Sequence, residues 1–393
     1  MKLLALLALV PALALAAPDE AQLGRDKDYP ACPPRVDPTG CLVGFWSGMD
    51  RFGPYHLVTH GAKVQALKRA PREPALGVDE FLARNRNTGL LILQGDTILA
   101  ERYQYGRKAE DRFASASMAK TVLGMLFGIA LQEGRIRSID DRADRYVPEL
   151  RGHPYGETRL RDLLTMSSGV KFDEGGEDAG MAESDTSRLM RATVQLQGPG
   201  GVDSVLPFDE RVRPAGQKFH YSNADSEVLG LVLRNAVGVP LAEYLSVKLW
   251  QPMGAEADAT WLVDKAGFET GYCCINATLR DYARFGMLLA NYGARDGKQI
   301  IPAAWVKAAT NASAPYLRVG VATPWNGYGY QTWLIHPGEP RFAAFGARGQ
   351  AIFIDGARKI VVVHTAVHEH MRETDARREQ FALWDNVLGR LDK

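Results

Sequence analysis

Apolar positions along the chain change period several times, and each change marks an element. From Gly89 the run Leu90-Leu91-Ile92-Leu93, the pair Gly95-Asp96 and the stretch 98–105 predict two strands joined by a tight turn. Residues 117–133 then read as a strongly apolar helix, with Met118, Val122, Leu123, Met125, Leu126, Ile129 and Ala130, stopped by Gly134. Such a helix belongs in the interior. Between Arg135 and about Asn326 helical patterns at 160–166, 226–237, 241–249 and 279–292 alternate with long polar loops, and convincing strands are few. Strand patterns return at 328–335, 341–345, 350–355 and 360–366, with turns at Pro337-Gly338 and Asp355-Gly356. Phe381, Trp384, Leu388 and Leu391 then share one face of a C-terminal helix that would cover the sheet. Strands at both ends with helices between them predict an α/β fold. One antiparallel sheet is built from N- and C-terminal strands and flanked by helices, with an inserted α-helical lobe at about 135–326.

The first 85 residues have a different texture. Met1-Lys2, the apolar run Leu3 to Ala17 and the small residues Ala14-Leu15-Ala16 have the three regions of a secretory signal, with cleavage expected after Ala16. The run is shorter than the roughly 18 apolar residues a spanning helix needs, and no later stretch is long enough, so no stable membrane anchor is expected. A secreted or periplasmic location follows from that reading. Residues 17–85 mix Pro, Gly and charge and read as a leader that wraps the core and ends in a helix near 78–84; the main domain is 86–393. In an exported chain Cys32 and Cys41 are candidates for a short disulfide staple. Cys273 and Cys274, being adjacent, would close only a strained ring, and two buried thiols are expected there.

Charge excludes one class of partner. The 47 Lys and Arg against 46 Asp and Glu give a net charge of +1, too small a field to hold a polyanion, so nucleic acid is not expected and a small molecule or short peptide is. The only cluster suggesting a metal, His364, His368, Glu369 and His370, follows a strand end and lacks the His-Glu-x-x-His spacing on a helix, so no metal and no cofactor are expected. A Gly-x-Ser-x-Gly pentapeptide is absent, which removes the α/β-hydrolase type of serine enzyme.

Candidate chemistry begins at Ser117-Met118-Ala119-Lys120. At spacing i,i+3 on the first turn of a helix the hydroxyl and amine share a face, next to backbone N–H groups with no helical acceptor. Apolar surroundings disfavour an ammonium and would make Lys120 a base. The alternative makes Ser117 an N-cap and Lys120 a solvated first-turn residue. Further on, Tyr221-Ser222-Asn223 supplies a phenol that can relay a proton beside an amine and an amide that both donates and accepts.

Together these residues resemble the serine β-lactamase and penicillin-binding-protein superfamily, in the branch with tyrosine in its second motif. The similarity runs over about 89–366. It is narrower still to the aminohexanoate-dimer hydrolase and esterase-like group, through Leu164-Thr165-Met166-Ser167-Ser168-Gly169-Val170, Glu256-Ala257-Asp258-Ala259, Ile275-Asn276-Ala277-Thr278 and Asp281-Tyr282-Ala283-Arg284-Phe285-Gly286. The resemblance implies Ser117 as nucleophile, Lys120 and Tyr221 as the proton-transfer pair, and Asn223 and Asn276 as polar groups lining the cleft. The third motif departs from Lys-Thr-Gly and reads Gly346-Ala347-Arg348-Gly349-Gln350; by the resemblance the N–H of Ala347 completes an oxyanion hole with that of Ser117. Arg348 would either hold a substrate carboxylate or point to solvent. The expected function is an exported serine hydrolase cleaving an amide or ester through an acyl-enzyme. Alternatives are a D,D-peptidase or β-lactamase and, in another class, a non-catalytic sensor of cell-wall peptides or drugs.

Overall fold

A computed structural model describes residues 17–33, 39–175, 184–370 and 374–391. The expected signal segment, 1–16, lies outside them, as does part of the loop at 173–185.

Leu90-Leu91-Ile92-Leu93 shows no polar alternation because its strand, Asn87–Gln94, is covered on both faces. Leu90 and Ile92 pack with Phe353, Val362 and, from the C-terminal helix Thr374–Leu391, Leu383 and Trp384. Leu91 and Leu93 belong to the opposite layer with Ile352, Val361, Val363 and residues of the helix Leu279–Ala290. The sheet runs Gly327–Tyr328, Trp333–Leu334, Arg341–Phe345, Ala351–Asp355, Ile360–Ala366, Asn87–Gln94, Thr97–Tyr103, Lys68–Arg69. Its neighbours are antiparallel except the last pair. Val362 faces Ile92 across the seam where the distant ends of the chain meet.

The stretch 328–335 is not one strand. It is a hairpin whose turn carries Gln331 at φ 53°, because that side chain is drawn into the lobe: Nε2 donates to the carbonyl of Leu163 and Oε1 accepts from Ser226. The leader also does more than wrap the core, since Lys68–Arg69 adds an edge to the main sheet and Tyr55–Val58 joins a second one. That second sheet runs Tyr55–Val58, Ala259–Leu262, Ile275–Ala277, Phe113–Ala114. Its central strands are three or four residues long and wholly buried, so they carry no alternation by which the sequence would announce them.

Two segments matched by resemblance meet in the scaffold. Asp281 accepts from the N–H groups of Glu256 (2.9 Å) and Ala257 (3.1 Å) and from Arg284 Nη1 (2.9 Å), while Arg284 Nη2 reaches Glu256 Oε2 at 2.9 Å and the carbonyl of Gln65 at 2.8 Å. On the same helix a Cβ at Gly286 would stand 2.7 Å from Val361 Cγ1, so only glycine lets the helix lie this close to the sheet. Cys32 and Cys41 are joined in a disulfide with Cα atoms 5.5 Å apart. No single helix among the described residues is long and apolar enough to cross a membrane.

Candidate active site

The second sheet delivers the serine. Ala114 faces Asn276, and Ser115 continues the pairing by donating its N–H to the Ile275 carbonyl at 2.7 Å while its Oγ accepts from the Ile275 N–H at 3.1 Å. The chain then turns through Ala116 at φ 45°, a region that costs an L-residue about 1–2 kcal/mol, and Ser117 stands at the N-cap of the helix Met118–Gln132. Its side chain makes no capping hydrogen bond. Instead Lys120 Nζ lies 2.8 Å from Ser117 Oγ, and Lys120 is 2% exposed, which removes the alternative of a capping serine and a solvated lysine.

That amine reaches Ser117 Oγ, Asn223 Oδ1 at 2.7 Å and the main-chain carbonyl of Tyr272 at 2.9 Å. Asn223 opens the helix Asn223–Val237 and is itself held from behind. Its N–H donates to Glu174 Oε1 at 2.6 Å, and its Nδ2 donates to Glu174 Oε2 at 3.1 Å and Thr186 Oγ1 at 3.2 Å, leaving Oδ1 to face Lys120. Tyr221 presents its ring 5.0 Å from Lys120 Nζ and stacks on Trp333, with centroids 5.5 Å apart and planes at 18°, inside an aromatic group that includes Tyr328 and Phe219.

The turn of the third motif is pressed against the turn of the first. A Cβ at Gly346 would sit 2.6 Å from the Ser115 carbonyl and 2.9 Å from Ala116 Cβ, so the close approach needs glycine. Gln350 locks this turn to the sheet, donating to the Ala366 carbonyl at 2.6 Å and accepting from the Ala366 N–H at 3.2 Å. The N–H groups of Ser117 and Ala347 have no acceptor among the described residues.

Three expectations are corrected. Arg348 does not point to solvent: at 8% exposure its Nη1 donates to the carbonyls of His368 (2.8 Å) and Glu369 (2.7 Å), tying the turn to the body. Asn276 does not line the cleft. It is 1% exposed, and its Nδ2 donates to Thr260 Oγ1 (3.1 Å), because Thr260 is its directly paired cross-strand neighbour and the two side chains share one face of the second sheet. Cys273 and Cys274 are not two thiols but a disulfide between neighbours, Cα atoms 3.7 Å apart, with Cys274 at φ 78°.

Sequence reading missed Glu174, Thr186, Trp333 and Tyr272. Glu174 lies in a loop that carries no motif, and Tyr272 contributes a carbonyl, which every residue has. Around them two carboxyls are buried in the helix Asn223–Val237. Burial pushes Asp225 up to about 7, against hydrogen bonds from Ser168, and it pushes Glu227 up to about 8, with Asp264 adding and the Gly271 N–H and Lys120 opposing. Both groups hold protons more tightly folded than unfolded, so their stabilisation is complete below about pH 4 and is lost as pH rises through about 7 and 8. The melting temperature is therefore expected to fall between pH 5 and 8, and Glu227→Gln to flatten the upper part of that fall; a Glu227→Gln curve that parallels the wild type would contradict the assignment. Among the described residues no group of three or more His, Cys, Asp or Glu is arranged to hold a metal.

A family model described as Beta-lactamase matches residues 78–383. The chain belongs to the β-lactamase family. Within it, the 6-aminohexanoate-dimer hydrolase of Paenarthrobacter ureafaciens is 26% identical over 309 residues, covering 75% of this chain and 78% of that one. A solved structure from Bacillus anthracis, provisionally named a 6-aminohexanoate-dimer hydrolase, superposes with a TM-score of 0.80 at 25% identity over 91% of this chain and 95% of that one. EstCE1, a hydrolase with promiscuous acyltransferase activity, shares the fold at 16% identity, with a TM-score of 0.60 over 79% and 95% of the two chains. This β-lactamase-family protein is an enzyme, a serine hydrolase.

Proposed function

We propose that this enzyme is exported and cleaves an amide or ester bond through an acyl-enzyme on Ser117. The observation that carries the reading is the set of oxygens around Lys120 Nζ. A neutral amine has two hydrogens and one lone pair. Asn223 Oδ1 and the Tyr272 carbonyl only accept, so they take the two hydrogens and leave the lone pair for the Ser117 hydroxyl. Glu227, whose carboxyl is pushed up to about 8, is largely uncharged at neutral pH and adds little to hold an ammonium in place.

In this mechanism Ser117 Oγ attacks the substrate carbonyl carbon as its proton passes to Lys120 Nζ. The negative charge that collects on the substrate oxygen is held by the N–H groups of Ser117 and Ala347, each worth roughly 3 kcal/mol in the transition state. Collapse expels the amine or alkoxide, which leaves with a proton relayed from Lys120 through the phenol of Tyr221. Water then attacks the ester on Ser117, giving its proton back along the same path, and the acid is released. No cofactor enters.

Small substrates with an apolar acyl part are favoured. Tyr221, Trp333 and Tyr328 form an aromatic wall beside the nucleophile, a surface suited to an apolar acyl chain. The Paenarthrobacter relative is named for hydrolysis of a 6-aminohexanoate dimer, which fits that class. These points support short acyl esters and amides over D,D-peptides or β-lactams. Export is supported by the signal-like residues 1–16 and by two disulfides, bonds that persist in oxidising compartments.

The test is labelling followed by a substrate panel. A fluorophosphonate is expected to modify Ser117 of the folded protein, and p-nitrophenyl esters and the linear 6-aminohexanoate dimer to be turned over ahead of nitrocefin and D-Ala-D-Ala peptides. An unlabelled Ser117 in folded protein would leave a non-catalytic sensor as the better reading. Turnover confined to nitrocefin or D-peptides would sink the substrate class.

A further inference from the structure

The segment 270–276 grips the nucleophile turn at two points. Upstream, the Tyr272 carbonyl accepts from Lys120 Nζ at 2.9 Å; downstream, the Ile275 carbonyl accepts from Ser115 N–H at 2.7 Å, two residues before Ser117. Between these grips lie Cys273 and Cys274, joined to one another and 8% and 3% exposed. Bonding two adjacent cysteines closes an eight-membered ring that contains the peptide linking them. The ring therefore restricts the backbone on both sides of that peptide, and Cys274 is held at φ 78°, where a residue with a Cβ otherwise costs about 1–2 kcal/mol.

We propose that the Cys273–Cys274 disulfide is a positioning element for Lys120: it keeps Cys274 in the left-handed region and so keeps the Tyr272 carbonyl on the amine. The proposal rests on Lys120 acting as the base. The ring acts on the backbone angles between Tyr272 and Ile275, whereas the other attachments of the segment are hydrogen bonds, including that of Cys273 N–H to the Thr270 carbonyl (3.4 Å) and that between the Tyr272 hydroxyl and Thr193 Oγ1 (2.9 Å). Trp261 Nε1 donates to the carbonyls of Thr270 (2.9 Å) and Cys273 (3.1 Å), Leu262 N–H donates to the Cys274 carbonyl (3.1 Å), and Glu227 accepts the Gly271 N–H (2.8 Å). With the ring open, Cys274 relaxes toward negative φ, the preceding peptides rotate, and the Tyr272 carbonyl leaves Lys120. The amine then loses a fixed acceptor, and its lone pair is no longer confined to the direction of Ser117. Neither sulfur touches the reacting atoms.

Two variants separate the ring from the backbone shape it imposes. Cys273→Ala/Cys274→Ala opens the ring and leaves a Cβ at position 274; Cys273→Ala/Cys274→Gly opens it but admits φ 78° without a steric cost. The first is expected to lose at least tenfold in kcat/KM, mostly in kcat, with the acid limb of the pH profile moved to lower pH because the protonated amine has lost an acceptor. The second is expected to recover much of that loss. Equal losses in both variants that track their melting temperatures would reduce the disulfide to a general staple, and kcat/KM within twofold of wild type in the first would overturn the proposal outright.

A third arm does not depend on either variant folding. In Cys32→Ser/Cys41→Ser protein the remaining described disulfide is opened with dithiothreitol: the dithiol supplies two electrons and two protons, the Cys273–Cys274 bond becomes two thiols, and the reagent closes to its cyclic disulfide. Activity is expected to fall at least tenfold as mass spectrometry shows two alkylated cysteines, and to return on reoxidation with glutathione disulfide. Full activity with both thiols alkylated overturns the proposal. Fluorophosphonate labelling of oxidised wild type, run beside it, tells this failure from a failure of the base assignment, since only the latter abolishes labelling there.

Discussion

Lys120→Ala lowers kcat by a factor on the order of 10⁴ to 10⁶, and Ser117→Ala does the same, while the double variant is scarcely worse than either alone. In the proposed mechanism the two groups work as one device. Without the amine 2.8 Å from its oxygen, Ser117 is an ordinary alcohol with no acceptor for its proton; without the hydroxyl, the amine has nothing to activate. What survives is binding and the pair of N–H groups at Ser117 and Ala347. Lys120→Arg is expected to be as inactive as Lys120→Ala, because a guanidinium stays protonated and cannot take the proton at all. The checks are steady-state kinetics on an activated ester and the rate of phosphonate labelling. A loss below a hundredfold at either position would contradict the roles assigned here.

The largest effect on stability is expected at a site that touches no substrate. Arg284→Ala should cost about 3–5 kcal/mol, read as a lower urea midpoint with an unchanged slope. Arg284 is 2% exposed, and its removal leaves Asp281, also buried, and Glu256 without their shared cation. It also frees the carbonyl of Gln65, which now takes two of the guanidinium hydrogens. That knot joins the leader, the start of the strand Ala259–Leu262 and the helix Leu279–Ala290, so its loss loosens the sheet from which Phe113–Ala114 hands the chain to Ser117. A cost under 1 kcal/mol would mean that the pair contributes little beyond its own desolvation. Lys120→Ala, by contrast, should leave the urea midpoint nearly where it is.

Ser117 to Lys120 and Tyr221 to Asn223 converge on one amine. Other stretches that resemble the aminohexanoate-dimer hydrolase group do scaffold work: Ser168 donates to Asp225 at 2.7 Å, and Glu256 meets Arg284. Asn276 falls with the scaffold, and Arg348 with it. Both are polar residues in segments that similarity marks, and similarity does not tell a side chain facing a cleft from one facing a sheet or a helix end.

By itself the sequence determined the elements whose apolar pattern is long enough to have a period, such as the helix Met118–Gln132, the hairpin that includes Asn87–Gln94, the strands Arg341–Phe345 and Ile360–Ala366, and the C-terminal helix. It also determined the serine and lysine, because an i,i+3 pair on a buried helix is a local fact: the helix alone brings the two side chains together. Only the tertiary structure decided what surrounds that pair. Asn223 stands 103 residues from Lys120 and Tyr272 stands 152 away, and no periodicity spans such distances. Glu174 and Thr186 act by orienting an amide, Tyr272 by a carbonyl common to every residue, and Cys274 by a backbone angle. Contacts of that kind leave no mark in residue identity, since hydrogen bonds to main-chain groups and the directions of buried side chains are settled when separate elements pack.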